Sequence, residues 1–455
     1  MHLRPDQAAI ITEIEAHFHA GTRSVLLVAP TGWGKTCVFS ALTARTTGQR
    51  ITILAHREEL LDQISHTLEA FHVTHGCIAP DRPNHSHRPI QVASVFTLAR
   101  RLADYPSPDL LIIDEAHHAV IGSTWGKIFK AYPHARRLGV TATPERLSGE
   151  GLRDTFTCMI VGPTVRDLID QGALSDYRLY APPVTHTDGL HHRMGDYVKS
   201  ELATVMDRPT ITGNAVHHYQ RLAPNKRAIV FCVSLEHAAH VAEEFTQMGF
   251  PAQRIDGKMD RRVRRQLVRD FTAGRVTVLT SCDIVSEGFD LPAIEVAILL
   301  RPTESVALHL QQLGRAFRPY PGKAYALILD HAGNTMRHGL PDEERHWSLD
   351  GKAARQAVTG AATISVRVCG QCFSAVRSLA RICPYCLHVF PVIPREVDVV
   401  DGELVEVSVE EARTWRRQQQ RMARDLDTLV ALGHARGYKN PAYWARCVLQ
   451  GRSAK

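Results

Sequence analysis

The segment 29–36, which reads Ala-Pro-Thr-Gly-Trp-Gly-Lys-Thr, constrains this chain more than any other part of its sequence. The apolar run 24–28 precedes it, and a stretch with helical character, 36–44, follows it. This setting predicts a strand, a glycine-containing turn and a helix. Gly32 and Gly34 lack a Cβ, so the backbone can approach a ligand closely, and the N-terminus of a helix attracts anions. The segment therefore predicts a cradle for nucleotide phosphates.

Lys35 and Thr36 carry the groups that a nucleoside triphosphate needs at such a turn. We expect Lys35 to reach the β- and γ-phosphates, the Thr36 hydroxyl to coordinate Mg²⁺, and Thr31 to line the same cradle. The full pattern begins with glycine, and Ala29 stands in that place here. The strand–loop–helix setting nevertheless favours a phosphate cradle over an ordinary glycine-containing turn.

A pair of acids forms the second informative pattern, Asp-Glu-Ala-His at residues 114–117. It follows the apolar run 109–113, and ligands of open parallel sheets bind at the carboxyl ends of the strands. We expect Asp114 to hold Mg²⁺ and Glu115 to orient and deprotonate the attacking water. His117 is better placed to relay the state of the nucleotide than to take part in the chemistry. Together with the cradle, the acids predict hydrolysis of a nucleoside triphosphate, with ATP and Mg²⁺ as cofactors.

Size and composition are those of an ordinary globular protein of two or three domains. The chain has 455 residues, of which 44% are hydrophobic and 22% charged. No apolar run approaches the roughly 20 residues of a membrane span, and the first residues lack a secretory apolar region. We therefore expect a cytoplasmic protein with no membrane association. The net charge of +7 permits a polyanionic partner without proving one.

Apolar strand-like runs alternate with helical stretches in two halves of the chain. This alternation predicts an α/β fold with parallel, doubly wound sheets. The region between the halves, about 144–209, includes a predicted helix at 165–170 and a predicted surface loop at 181–195. The second half has no phosphate cradle, so we expect it to complete the site of the first. The predicted strands are 25–29, 51–55, 90–93, 110–113 and 138–141, then 228–232, 252–255, 276–280, 296–300 and 324–329.

Seven further segments of the chain form an ordered set, namely 3–7, 55–63, 93–97, 141–144, 229–232, 280–290 and 311–318. In order and spacing they resemble the motifs of superfamily 2 helicases of the DEAD/DEAH class. The resemblance covers residues 1–330 and points to the branch of restriction-enzyme translocase subunits and repair-type DNA helicases. It implies two tandem RecA-like P-loop domains, at 1–175 with the ATP-binding motifs and at 176–345 with arginine fingers.

The segment 311–318 carries two arginines, Arg315 and Arg318, that can point the same way because they lie three residues apart on a helix. The resemblance implies that they are arginine fingers, which can accelerate phosphoryl transfer by about 10³–10⁵. By the same resemblance, Gln311 senses the γ-phosphate. The other implied nucleotide contacts are Arg4 and Gln7 to the adenine, and Gly288 and Asp290 to the ribose.

The resemblance also implies that each domain holds one stretch of a nucleic-acid backbone, so that cleft closure moves the protein along a strand. DNA is favoured over RNA as the partner. An RNA helicase, a motor subunit for a separate nuclease and a nucleic-acid-binding adaptor with a vestigial ATPase are the alternatives. The arginine run 261–265 fits either a solvated helix face or a nucleic-acid patch. The implied strand contacts are Arg57, Thr97, Ser234 and Thr280.

The remaining pattern consists of two Cys-x-x-Cys pairs, Cys369 with Cys372 and Cys383 with Cys386. Four thiolates at this spacing predict a structural zinc site in a ribbon over 362–392. A cytoplasmic setting argues against disulfides. Residues 383–386 resemble the second knuckle of zinc ribbons, although a leucine replaces the usual glycine that follows. The ribbon could bind nucleic acid or a protein partner, and the sequence leaves both open.

The C-terminal residues 410–455 form a predicted basic helical tail. Before it, residues 396–411 are acidic and apolar and predict a linker or a hairpin. The tail resembles those of phage-type helicases. Two interpretations have equal weight, namely a helical pair that docks through aromatic side chains and a nucleic-acid contact through arginines. The aromatic residues are Tyr438 and Trp444, and the arginines are Arg416, Arg417 and Arg421.

Overall fold

The chain divides into two compact units, Met1–Pro391 and Val392–Lys455, each described by itself. The structure is a computed structural model. The residues that it describes are 2–80, 82, 85–146, 148–181, 192–193, 196–197, 202, 206–207, 209–257, 259–282, 291, 293–351, 366–390, 418–420, 422–423, 425–436 and 441–453.

The first unit begins with a seven-stranded parallel sheet. Its strands are β1 (Ser24–Val28), β2 (Ile51–Ala55), β3 (Gly76–Ile78), β4 (Ile90–Ser94), β5 (Leu110–Asp114), β6 (Arg136–Thr141) and β7 (Cys158–Val161). Their order across the sheet is β3-β4-β2-β5-β6-β1-β7. Strands β5, β6 and β1 are therefore neighbours, and their carboxyl ends meet at one edge, where ligands of such sheets bind.

Helices cover both faces of this sheet. Strands β1, β2 and β5 are buried along their whole length, as parallel strands covered on both faces are. Successive side chains enter different cores, because Leu27 packs with Ile11 and Phe39 whereas Leu26 packs with Ile128. The helices are α1 (Pro5–His19), α2 (Lys35–Arg45), α3 (Glu58–Ala70), α4 (Val95–Leu98), α5 (Thr124–Ala131) and α6 (Val165–Asp170).

A second parallel sheet has six strands. Its first strand along the chain is β8 (Tyr177–Tyr180). A separate antiparallel pair follows, β9 (His192–Arg193) and β10 (Asp196–Tyr197), which is not part of this sheet. The others are β11 (Ala228–Phe231), β12 (Ala252–Ile255), β13 (Val278–Ser281), β14 (Val296–Leu299) and β15 (Ala326–Asp330). The order across the sheet is β12-β13-β11-β14-β15-β8.

Helices also cover the second sheet, which confirms the predicted α/β fold with two parallel sheets. The core on one face combines alternate strand residues such as Val230 and Ile298 with Tyr219 and Phe245. The helices are α7 (Pro209–Leu222), α8 (Leu235–Gln247), α9 (Arg261–Thr272), α10 (Val306–Ala316) and α11 (Asn334–His338). None of the helices within the described residues is long and apolar enough to cross a membrane.

The region between the sheets contains more structure than the sequence predicted. Helix α6 lies where it was predicted, and Gly172 follows it with a φ of 69°. Strand β7 before it joins the first sheet, and strand β8 after it joins the second. The predicted domain boundary at 175/176 falls between these two strands and stays a prediction. The predicted loop 181–195 lies almost wholly outside the described residues.

The chain returns from the second sheet to the first through residues 339–351, here called the strap. Trp347 and Leu349 pack into the core of the first sheet. The Leu349 carbonyl accepts hydrogen bonds from the N–H groups of Leu152 (2.8 Å) and Arg153 (3.0 Å). Arg153 also pairs with Asp350, with 2.9 Å between Nη2 and Oδ2. The two domains are therefore joined by a second, backbone-bonded crossing in addition to α6.

The cysteine-rich segment folds as a hairpin against the second sheet. Its strands are β16 (Val366–Val368) and β17 (Ala375–Arg377). Ser374 forms an antiparallel bridge with Tyr180, so the hairpin covers the edge strand β8. Edge strands left open can pair with other chains, and this one is shielded.

Asp342 joins three parts of the first unit. Its nearly buried carboxylate accepts hydrogen bonds from Arg166 of α6 (2.6 Å), from the Tyr177 hydroxyl of β8 and from Arg377 of β17 (3.3 Å). Burial acts to raise the pKa of Asp342, but Tyr177 and Arg166 hold it below its usual value. The ionised carboxylate thus links the interdomain helix, the second sheet and the cysteine hairpin.

The second unit contains a pair of helices, α12 (Leu426–Ala435) and α13 (Pro441–Ser453). Leu429 and Ala445 are fully buried between them. A Cβ at Gly433 would lie 2.9 Å from the Pro441 Cβ and 3.2 Å from the Trp444 ring. Trp444 therefore docks the pair, as one of the two interpretations expected, while the remaining predicted tail contacts, Tyr438, Arg416, Arg417 and Arg421, lie outside the described residues.

We predict that Gly151→Ala loosens the strap. A Cβ at this position would lie 1.9 Å from the Leu349 carbonyl oxygen and 2.5 Å from the Gly351 nitrogen. Overpacking of this kind costs about 1–3 kcal/mol, which urea unfolding followed by tryptophan fluorescence would measure. Gly122→Ala is the matched control, because a Cβ there meets nothing within 4 Å. Equal unfolding midpoints for the two variants would contradict the described strap contact.

Candidate nucleotide-binding and active site

The loop between β1 and α2 has the form that a phosphate cradle requires. Gly32 and Gly34 have φ angles of 91° and 97°, which side chains of L-residues rarely permit. A Cβ at Gly34 would also lie 2.8 Å from the Gln7 amide nitrogen. Helix α2 begins at Lys35, and the first N–H groups of a helix have no acceptor within the helix itself. The loop can adopt this shape because glycine stands at both positions that require a positive φ.

Lys35 lies at the start of α2 and its ammonium folds back onto the loop. Its Nζ donates to the carbonyls of Ala29 (3.0 Å) and Pro30 (3.3 Å). Burial lowers the pKa of Lys35, and the carboxylates of Glu115 and Asp114 oppose that effect. The lysine is therefore held near the cradle by groups that an anionic ligand could replace.

The two predicted acids lie at the end of β5. Asp114 is its last residue and is 4% exposed. Glu115 follows in the left-handed region with a φ of 49°, and its N–H donates to the Asp114 carboxylate at 3.0 Å. A non-glycine residue in this region stores strain that the surroundings must hold, which is typical of active sites.

One cleft between the domains brings most of the predicted nucleotide residues together. Its cavity volume is about 200 Å³, and the first domain supplies all of its lining except two arginines from the second. The predicted residues that line it are Thr31, Gly32, Gly34, Lys35, Thr36, Asp114, Glu115, Arg315 and Arg318, and Leu60 and Gln63 of α3 complete it.

Helix α10 and the residues directly after it bring the two arginines to the cleft, because the helix approaches the phosphate loop closely. The expectation that both arginines lie on one helix needs correction, since α10 ends at Ala316 and Arg318 follows its end. A Cβ at Gly314 would lie 2.5 Å from the Thr31 Cβ. Arg315 is 5% exposed, and the Arg318 Cγ lies 3.8 Å from where a Cβ at Gly32 would be. Gln311, on the same helix, is 3% exposed and does not line the cleft. Glycine at 314 is therefore what lets the helix come this near.

Arg4 and Gln7, expected at the adenine, instead contact the loop in this structure. Both side chains donate to the Trp33 carbonyl, each at 2.9 Å. The Trp33 indole N–H in turn donates to the Asp6 carboxylate at 2.6 Å. Neither Arg4 nor Gln7 lines the cleft. Their side chains brace the loop from the start of α1, and their role at an adenine stays a prediction. Gly288 and Asp290 lie outside the described residues.

The chain is similar in sequence and in fold to known proteins. A family model described as "Type III restriction enzyme, res subunit" matches residues 1–146, and one described as "Helicase conserved C-terminal domain" matches residues 213–320. A 51.5 kDa protein of a Lactococcus phage (isolate 7-9) is 32% identical over 421 residues, which cover 91% of this chain and 89% of that protein. The chain belongs to the superfamily 2 helicases of the restriction and repair type.

Two further similarities agree with this family. A Schizosaccharomyces pombe protein named as a mitochondrial ATP-dependent helicase is 28% identical over 75% of this chain, which spans 59% of that protein. A solved fragment described as an HsdR subunit of a type I restriction enzyme from Vibrio vulnificus YJ016 has a TM-score of 0.61 at 23% identity, covering 75% of this chain and 67% of the fragment. The latter shows the fold alone. The predicted ATP-dependent helicase is confirmed.

The helicase also has an interdomain ion pair that sequence reasoning missed. Arg264, in the arginine run on α9, lies 2.7 Å from Glu59 on α3 of the first domain. Their side chains are 11% and 25% exposed, so water screens the pair only partly. Arg262 and Arg265 on the same helix are exposed. The run was expected to be solvated or bound to nucleic acid, and one of its members instead forms an ion pair with a helix of the first domain.

The residues expected to contact a nucleic-acid strand differ in their position and burial. Arg57 precedes α3, and Thr97, 8% exposed, lies in α4, so both follow strand ends of the first sheet. Ser234 caps α8, where its hydroxyl accepts from the His237 N–H at 3.0 Å. The expectation for Thr280 needs correction, because this residue lies within β13, is fully buried and donates its hydroxyl to the Ala238 carbonyl at 2.6 Å.

The exposed side chain beside Thr97 is Phe96, which is 53% exposed at the start of α4. An exposed phenylalanine offers a face on which a base can stack.

The cysteine sulfurs of 369, 372, 383 and 386 all lie within 4.8 Å of one another. The Sγ atoms of Cys369 and Cys386, and those of Cys372 and Cys383, are 3.6 Å apart. Tetrahedral zinc at about 2.3 Å from each thiolate places sulfurs about 3.8 Å apart, so the geometry fits this metal. Phe373 and Leu387, which follow the two pairs, have φ angles of 59° and 62°.

Two thiols of this cluster, those of Cys369 and Cys386, have pKa values that are shifted in opposite directions. Burial acts to raise the pKa of Cys369, but the N–H groups of Cys372 and Gln371 lower it to about 6. For Cys386 the His388 N–H acts to lower the pKa, yet burial and the neighbouring thiols raise it to about 12. The surroundings thus favour the thiolate of Cys369 and oppose that of Cys386. A bound metal would favour the thiolate form of both, because metal ligands must be deprotonated.

We predict that the Glu59–Arg264 pair stabilises the closed cleft. Arg264→Glu places two carboxylates together, and repulsion should lower kcat/KM for ATP about tenfold, or about 1.4 kcal/mol. The double exchange Glu59→Arg with Arg264→Glu should recover activity to within about threefold. Arg265→Glu, an exposed position on the same helix, is the matched control. A double exchange as inactive as the single variant would refute the pair's role.

Proposed function

We propose that this helicase hydrolyses ATP when DNA is bound, and moves along or remodels DNA as its cleft closes and opens. The observation that carries the proposal is the cleft itself. Its lysine and acids belong to the first domain and its two arginines to the second. A ligand that contacts both sets of groups stabilises the closed arrangement, and loss of those contacts allows opening.

Each predicted residue has a role in this proposal. Lys35 and the loop N–H groups hold the β- and γ-phosphates, while Thr36 and Asp114 hold Mg²⁺. Glu115 accepts a proton from the attacking water, and Arg315 and Arg318 stabilise negative charge on the γ-phosphate oxygens. Bound ATP supplies the phosphoryl group for the reaction, and Mg²⁺ neutralises part of its charge. The remaining roles are Gln311 as γ-phosphate sensor, Arg4 and Gln7 at the adenine, and Gly288 and Asp290 at the ribose.

DNA is the substrate that the comparisons favour. The matching family model is that of a restriction subunit, and restriction enzymes act on DNA. Arg57, Thr97, Ser234 and the exposed Phe96 are the proposed strand contacts. An RNA helicase and a motor subunit for a separate nuclease are the alternatives. A protein partner for the cysteine hairpin or the tail, and a cytoplasmic location, stay predictions.

The decisive measurement is ATP turnover in the presence of single-stranded, duplex and forked DNA and of RNA. We expect DNA to stimulate turnover, and Lys35→Ala to abolish it, because the variant loses the cation nearest the phosphates. Arg318→Ala should lower the stimulated kcat by about 10³ or more. Lys130→Ala, an exposed lysine of the first domain, is the control. Stimulation by RNA alone would favour the RNA helicase, and turnover that survives Lys35→Ala would reject the ATP site.

We propose that the four clustered cysteines bind one structural zinc ion. Four thiolates leave no open coordination position, so the metal would stabilise the hairpin rather than catalyse. The expected result for Cys383→Ser is loss of about one zinc per chain by atomic absorption, with easier proteolysis of the hairpin. Cys77→Ser, outside the cluster, should keep its zinc. Unchanged zinc in Cys383→Ser would show that this cysteine is not a ligand.

A further inference from the structure

We propose that the contacting rings of His56 and His118, which are tilted by 55° to each other, transmit strand occupancy at Arg57 to the catalytic Glu115. This inference rests on the proposed function and deepens it, because it names how bound DNA would accelerate hydrolysis. His56 is then a positioning residue, which acts through other side chains and touches neither nucleotide nor strand.

The first step of the connection joins Arg57 to His56. The Arg57 Nε donates to the His56 Nε2 at 3.3 Å. Both residues lie between the end of β2 and the start of α3, at the carboxyl edge of the first sheet. An arginine drawn to a phosphate would re-aim its guanidinium, because phosphate oxygens are stronger acceptors than an imidazole nitrogen. Strand binding would thereby change what His56 contacts.

The second step joins His56 to the turn that follows the acids. Its ring centroid lies 4.3 Å from that of His118, which lies 4.2 Å from that of His117. These are shorter than the 4.5–7 Å common for aromatic pairs, so the three rings are in contact. His117 and His118 belong to the short 3₁₀ turn Ala116–His118 that begins directly after Glu115. Because these rings are in contact, a shift of the His56 ring would change the packing of this turn.

The third step joins the turn to the catalytic residue. The His117 Nδ1 lies 3.4 Å from the Glu115 carboxylate and 3.0 Å from the Thr141 hydroxyl. Glu115 holds the left-handed φ of 49°, a conformation that depends on its neighbours. The position of its carboxylate is thus sensitive to the histidine turn. Two arrangements of Arg57, on His56 and on a phosphate, would bias two positions of Glu115, which is the physical requirement for coupling.

The test measures the ratio of DNA-stimulated to basal kcat, together with DNA affinity. His56→Ala should lower that ratio about 5- to 10-fold, within the usual range of coupling between sites, while the Kd for DNA changes less than about threefold. His56→Phe retains a ring against His118 and should recover part of the ratio. His56→Ala combined with His118→Ala should be no worse than the single variant, because both break one connection. His66→Ala, exposed on α3, is the control.

The outcomes separate the inference from the proposed function. A stimulated wild type with an equally stimulated His56→Ala overturns the inference alone. Equal losses in basal and stimulated kcat also overturn it, since they indicate a structural defect, as does a loss explained fully by weaker DNA binding. A wild type that hydrolyses ATP without stimulation by any nucleic acid overturns both the proposed function and the inference. Thermal unfolding of each variant identifies those that fail to fold.

Discussion

The contact between helix α10 and the phosphate loop is what the rest of the active-site geometry depends on. A side chain at Gly314 would collide with Thr31, so the absence of one brings the second domain within reach of the first. Arg315 and Arg318 then face Asp114 and Glu115 across the same cleft. Together with Lys35, these arginines give the cleft three cationic side chains against two carboxylates. Burial and the two arginines lower the pKa of Lys35, and an anionic ligand would relieve this repulsion.

The contacts that hold the two domains together at the cleft differ in kind from those along the strap. At the cleft they meet through charged side chains, such as Glu59 with Arg264, and through the close approach of α10. Along the strap they share backbone hydrogen bonds at Leu349 and apolar packing of Trp347. A partly exposed ion pair costs less free energy to separate than buried apolar packing does. A cleft that opens at the charged side while the strap persists is the motion that this distribution favours.

The sequence predicted the strands of both sheets wherever strand-like and helical stretches alternate, including the short β12, which reads Ala-Gln-Arg-Ile. The parallel strands that it missed are β3, which has three residues, and β7 and β8, which lie on either side of α6 in the region between the two halves. The cleft residues were predicted from local patterns. The partner of Arg264 was not, because a pair between distant helices leaves no trace in spacing. Thr280 was misplaced because its motif extends into β13, where the hydroxyl is buried.

The positions where non-glycine residues adopt positive φ separate ordinary turns from functional ones. His72 and Asn225 do so at a helix end and in a turn, and asparagine tolerates this region well. Glu115 does so between the Asp114 carboxylate and the histidine turn, and Leu387 does so beside the sulfur cluster. A branched or charged residue gains nothing locally from this conformation, so something outside its own backbone must fix it. At Glu115 the candidates are the Asp114 carboxylate and His117; at Leu387 the candidate is a metal that draws four sulfurs together.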